Sequence, residues 1–312
     1  MTGMKYELIK SLGNKAVIVV MIMLFWLNGL EMYFHCKTID YVYDKEQIYS
    51  TNDYQKYILY ASDCIKNGQD MNASKILISE FMGREITNEY SDSMETEFVT
   101  YGKYVTYGII IIAVVVICTI EMERKSRMTE IISITEARQS KVILTKQGAI
   151  GIYAIAINLI FLIENIIICH FYGGIDLGLE LYNVPGFFAT WFSGNILTYK
   201  LLNILGVCMI EIIVGNIIYI IAGYVKNIGV LAGITVSFCA IVYVLCGKIP
   251  LKYCFLNIRS FLNCEELVKD FILVNVGNGY TYRLWLALIC AALIMIMVNV
   301  ANYVIYRNRR AI

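Results

Sequence analysis

The stretch that decides the fold runs from residue 104 to residue 171 in three blocks: "YVTYGIIIIAVVVICTI" (104–120), "EMERKSRMTEIISITEARQSKVILTKQG" (121–148) and "AIGIYAIAINLIFLIENIIICHF" (149–171). The first and third are apolar and close to the ~20 residues that a helix needs to cross the hydrocarbon core of a bilayer. Inside that core a chain must satisfy its own backbone hydrogen bonds, and a continuous apolar run of this length does so as a helix. The middle block, dense in both charge signs, then has to be a connection outside the lipid.

Working outward, the same criterion finds four more runs, at 16–34, 201–224, 228–246 and 284–306. The whole chain is 58% hydrophobic and 16% charged, well above the ~45–50% apolar content of soluble domains. The expectation is an all-α membrane protein with six transmembrane helices. Residues 1–15 form an amphipathic N-terminal segment, 225–227 a tight turn and 307–312 a tail. The lysines before the first run resemble a signal peptide, but its length and the lack of a small-residue cleavage site after it point to a retained anchor. Six of the ten cysteines fall in or beside apolar runs, where a thiol behaves as a small hydrophobe, and no CxxC or CxxH pair suggests a metal or redox site.

Basic residues set the orientation, because cytoplasmic connections carry an excess of Lys and Arg. Lys5, Lys10 and Lys15, then Arg124 to Lys146, Lys226, and Arg307 to Arg310 all fall on one side when six spans are counted. That puts both termini in the cytoplasm of a multi-pass membrane protein. Residues 37–103, with seven basic against twelve acidic positions, would face outward. The 35–103 segment also shows three- and four-residue apolar spacing from Tyr54 to Ile65 behind a Ser50–Asp53 capping cluster, the pattern of a small helical extracellular domain. An outer loop covers 172–200. Residues 247–283 are too apolar for a solvated loop and too short to span twice, so re-entrant or interfacial helices are expected there. Five basic residues in that segment run against the assigned orientation and are outvoted by the rest.

Catalytic signatures are missing: no GxxxxGK[ST] loop, no HExxH and no GxSxG. His35 and His170 sit at span ends, where an imidazole meets the interface, so no metal is assigned. An enzyme is not expected. Glu164 and Glu211, with Asn165 and Asn216, lie within spans, where a carboxylate costs roughly 2.5–3.5 kcal/mol on insertion scales. They either line a translocation path or hydrogen-bond across helices to Asn28, Asn158, Asn165 or Asn216, and the sequence leaves both open.

The middle block is amphipathic: Met128, Ile131, Ile132, Ile134 and Thr135 group together, apart from Glu123, Arg127, Glu130 and Arg138. Glu123 and Arg127 stand at i, i+4 in the favoured order. A loop that only obeyed the positive-inside rule would need neither glutamates nor an apolar stripe. This cluster leaving one span, the short "TEIISIT", Arg138 and then Lys146 opening the next span, with the amphipathic "MKYELIKSL" at the N-terminus, resembles the permease subunits of type-2 ABC exporters. The resemblance implies that Glu123, Arg124, Arg127, Thr129, Glu130, Ile131, Ile134 and Arg138 form a coupling helix docking on a separate cytosolic ABC ATPase. It also implies a second permease subunit as homo- or heterodimer partner, ATP and Mg on the ATPase, a bacterial plasma membrane as the setting, no cofactor in this chain, and no nucleic acid. Met128 and Glu136 depart from the Gly and Pro frequent at those places in the family. Two other readings stay open: a secondary transporter in which Glu164 or Glu211 binds a coupling proton, and a membrane sensor or immunity subunit that transports nothing.

Overall fold

A computed structural model describes residues 2–42, 75, 76, 79, 94–126, 136–184, 187, 190, 192–246, 267, 268, 273–276 and 279–308. Helix α1 covers Thr2–Leu12 and α2 covers Lys15–Val42. Between them the Asn14 side chain accepts the Ala16 N–H at 3.0 Å, starting α2 anew in a fresh direction. Next come α3 (Met94–Thr100), α4 (Lys103–Lys125) and α5 (Glu136–Tyr172). A 3-10 turn at Leu181–Asn183 precedes α6 (Ile196–Ala222), α7 (Ile228–Cys246) and α8 (Arg283–Asn308). Asn195 caps α6 by accepting from the Thr198 N–H at 2.9 Å.

Among the described residues, five stretches are long and apolar enough to cross a membrane: Lys15–Lys37, Met94–Lys125, Val142–Tyr172, Ile196–Ala222 and Arg283–Ile305. The fifth expected span, 228–246, coincides with α7, which contains the shorter apolar helix Ile228–Val242. Large apolar side chains line the outside of the bundle, among them Ile22, Trp26, Val236 and Met297. Water would penalise such a surface, whereas lipid tails do not. This is the build of a multi-pass membrane protein.

Helix α6 sits centrally, packed against α4, α5 and α8, while α2 packs on α4 and α5, α1 on α5, and α7 on α4 and α6. Small residues allow two of the closest approaches. A methyl group on Gly108 of α4 would come within 2.1 Å of Glu211 Oε1 on α6, and one on Gly29 of α2 within 2.8 Å of Glu164 Oε1 on α5. Glycine at these places lets a carboxyl rest against a neighbouring backbone.

Three expectations change. Residues 121–148 are not one connection: α4 continues to Lys125 and α5 begins at Glu136. Glu, Ala, Arg, Gln and Lys are strong helix formers, so these helices extend beyond their apolar stretch. Residues 127–135 lie outside the described residues. Within 247–283, residues 273–282 form an antiparallel hairpin, β1 (Leu273–Val276) paired with β2 (Gly279–Tyr282), in register from Leu273↔Tyr282 to Val276↔Gly279, while nearly all of 247–272, where re-entrant or interfacial helices are expected, lies outside the described residues. Val274, Val276, Thr281 and Tyr282 have β-branched or aromatic side chains, and Gly277-Asn278 is a two-residue sequence suited to a hairpin turn. Lys200, assigned to the outer loop, is a buried residue of the α6 first turns, and Arg283 is the buried first residue of α8. The expected helix at 54–65 and most of the 35–103 domain lie outside the described residues.

Candidate functional site

At one end of the bundle α1, α4 and α5 meet around a single carboxylate. Lys10 Nζ donates to Glu123 Oε1 at 3.0 Å and Lys146 Nζ donates to Glu123 Oε2 at 2.5 Å. The three side chains are 11%, 2% and 4% exposed for Lys10, Lys146 and Glu123. One carboxylate therefore serves two ammonium groups on two different helices, and both of its oxygens are used. The Lys146 ammonium also lies 5.2 Å from the ring centre of Tyr219 on α6, a cation–π contact. Beside it the Tyr153 hydroxyl donates to the Leu8 carbonyl at 2.8 Å and contacts the Ser11 hydroxyl. Glu7, one turn before Lys10, has its carboxyl pushed up from the usual 4.5 by burial, against the opposing pull of Lys10.

Next along α4, Arg124 faces α6. Its guanidinium donates to the carbonyls of Ala222 at 2.6 Å, Val225 at 2.9 Å and Lys226 at 2.6 Å. Those oxygens belong to the end of α6 and the turn after it, where a helix has carbonyls lacking internal donors and carries partial negative charge. Glu123 and Arg124 were expected to face a partner. Both instead use their hydrogen-bonding groups within the chain, because neighbouring helix ends supply the opposite charges first. The exposed i, i+4 pair on this helix is Glu121 with Lys125, at 2.7 Å.

Arg127, Thr129, Glu130, Ile131 and Ile134 lie outside the described residues, and Arg138 is described only as part of the α5 backbone. Residues 127–135 follow the tied end of α4 and precede α5, whose own tie, Lys146, stands ten residues after its start at Glu136.

The intramembrane polar residues fall on three separate seams. Asn28 of α2 donates to Glu164 Oε2 at 2.7 Å and to Asn165 Oδ1 at 2.9 Å, both on α5, and accepts from the Tyr101 hydroxyl at 3.1 Å. Asn158 of α5 donates to Glu211 Oε2 of α6 at 2.8 Å. Asn302 of α8 donates to Asn216 Oδ1 of α6 at 2.8 Å. Glu164 and Asn165 thus meet at Asn28, whereas Glu211 and Asn216 each join a different pair of helices, so the four do not converge on one place. Glu211 is fully buried, yet its Oε1 and Asn158 Oδ1 have no hydrogen-bond partner among the described residues. Both lie over Gly108.

Sequence reasoning missed the roles of Lys10, Lys146, Gly108, Lys200 and Asn302. Lys200 donates to the Tyr101 carbonyl at 3.1 Å, at the break between α3 and α4, and lies over the rings of Phe98 and Tyr104 at 5.2 and 5.6 Å. A lone Lys near the start of an apolar run was the available signal for it. Among the described residues no group of three or more His, Cys, Asp or Glu is placed to hold a metal ion. Compared with models of known protein families, with characterised proteins and with solved structures, the chain matches none.

Proposed function

We propose that this chain is a six-span permease subunit of an ATP-driven exporter, with α7 as the additional span and residues 127–135 as the element that receives force from a cytosolic ATPase. One observation carries the reading: α4 just before that segment and α5 at Lys146, ten residues after its start at Glu136, are cross-tied by Lys10–Glu123–Lys146, and Arg124 ties the end of α4 to α6. A push on a loop does little if the helices it joins can yield separately. Here a displacement would pass to α1, α4, α5 and α6 together. A chain without a nucleotide loop needs its work from outside, and a charged amphipathic segment gives a soluble partner both register and contact. The second permease subunit, ATP and Mg on the partner and a plasma-membrane setting follow from the same proposal.

Purification of the full chain from its native membrane in mild detergent tests this, since no co-purifying ATPase would remove the main support. The double variant Glu130→Arg with Arg138→Glu is expected to insert normally and lose ATPase binding. Retained binding would argue against docking at that segment.

A second reading, proton-coupled transport, is favoured by the unpartnered oxygens of Glu211 and Asn158. In proteoliposomes Glu211→Gln would then abolish uptake driven by a proton gradient, and unchanged uptake would remove this alternative.

A further inference from the structure

At the end of the bundle remote from α1, Cys36 of α2 and Cys169 of α5 bring their sulfurs to 4.0 Å, both side chains buried with zero exposure. The two residues are 133 positions apart in sequence, so this approach is set by helix packing and not by a local turn. It lies on the same α2–α5 seam that Asn28 ties to Glu164 and Asn165 nearer the middle. Among the described cysteines it is a cross-helix pair in sulfur contact, whereas Cys208 is approached by the Asn158 amide. Sulfur contact needs only about 2 Å of further closure to reach a bond of ~2.05 Å.

We propose that Cys36 and Cys169 are a disulfide-forming pair that staples α2 to α5, oxidised by thiol–disulfide exchange with a disulfide donor. The thiolate of one cysteine attacks a sulfur of the donor, forming a mixed disulfide and releasing one donor thiolate. The second cysteine's thiolate then attacks the protein sulfur of the mixed disulfide, forming Cys36–Cys169 and releasing the other donor thiolate. Two protein thiols lose two protons and two electrons, and the donor disulfide becomes two thiols. The first step needs access, which the packed seam denies. It therefore takes place before the helix ends close or when they part, next to the exposed Lys37, His170 and Phe171. The second step is favoured because packing holds the partner sulfur in contact. This assignment is independent of the transport reading.

The test uses the full chain in its membranes. They are incubated with oxidised glutathione, remaining thiols are alkylated after unfolding in SDS, and proteolytic fragments are mapped by mass spectrometry with and without reduction. Expected is a reducible fragment joining Cys36 to Cys169, with the loss of both thiols together from the alkylated set. In Cys169→Ala the fragment disappears and Cys36 becomes fully alkylated or carries a glutathione adduct. Complete alkylation of both cysteines in the oxidised wild-type sample, or linkage of either one to Cys64, Cys254 or Cys264, overturns the proposal. The wild-type measurement stands whether or not the variant folds.

Discussion

Replacing Glu123 with Gln removes the one negative charge shared by Lys10 and Lys146 while keeping the side chain's size. Lys146 is 2% exposed and would lose the carboxylate that its ammonium touches, with Glu7 as a further negative charge acting near it. Removing one member of a buried ion pair costs ~3–5 kcal/mol, chiefly through the charge left behind. Lys10 contributes less: it is 11% exposed and can turn to Glu7, 4.0 Å away. Its share falls towards the ~0–1 kcal/mol of a surface pair, which puts the total near the lower figure, about 3 kcal/mol. With ~2.1 cal/mol/K of unfolding entropy per residue over the chain, that loss lowers the thermal midpoint by about 5 °C. Thermal unfolding of the purified chain in detergent measures it, and limited proteolysis reports whether α1 detaches. The decisive comparison is Glu123→Gln with Lys146→Met, which takes the stranded cation away and is expected to recover most of the loss. A Glu123→Gln shift of under about 1 °C, or a double variant less stable than either single one, would refute the clamp as described.

Glycine replacements should rank by the space each methyl group meets. Gly108→Ala drives into Glu211 Oε1 and is expected to cost about 1–3 kcal/mol, Gly29→Ala less, because Glu164 is only partly buried, and Gly233→Ala, with nothing within 4 Å, should be neutral or gain up to ~1 kcal/mol of helix propensity. Midpoints in the same detergent check that order. Arg124→Ala leaves three carbonyls at the end of α6 without their donor and should cost about 1–2 kcal/mol, seen locally as faster amide hydrogen exchange around residues 222–226. Glu7 gives a pH signature. Its folded-state pKa lies above the unfolded value, so the folded state holds the proton more tightly. The stability this adds is complete below the usual 4.5 and is lost as pH rises through the raised value. Glu7→Gln should therefore lose less stability than wild type over that rise, and parallel pH profiles for the two proteins would contradict this.

The apolar runs made the spanning helices legible, since lipid solvation is what hydropathy measures. Their ends were not legible in the same way: the α5 segment from Glu136 to Lys146 is polar, and nothing in hydropathy says whether a polar segment keeps its helical hydrogen bonds. Glu164 and Glu211 stood out because a carboxylate in lipid must be answered, and of the four amides offered to them, Asn28, Asn158, Asn165 and Asn216, Asn28 bonds Glu164 and Asn158 bonds Glu211. Which helix supplies each partner depends on rotation and depth, which no local pattern records. The same holds at the charged end. Glu123 was visible as a charge beside a span, but its burial by Lys10 arises from a contact across 113 positions. The hairpin at 273–282 is only ten residues of alternating sequence around Gly277-Asn278, at the end of a segment read as a whole from its apolar content.

Arg124 and Lys200 do related things at opposite ends of one helix pair. At one end α4 lends a cation to the closing carbonyls of α6, and at the other α6 lends a cation to the carbonyl of Tyr101, just before α4 begins. The two ties are about 35 Å apart at 1.5 Å per residue, with the Glu211 carboxyl resting on Gly108 between them. Sliding α6 along its axis by one turn, 5.4 Å, would break both ties at once and drag the carboxyl off its seat. The pair is therefore built as a strut tied at both ends, which opposes piston motion of one helix along the other.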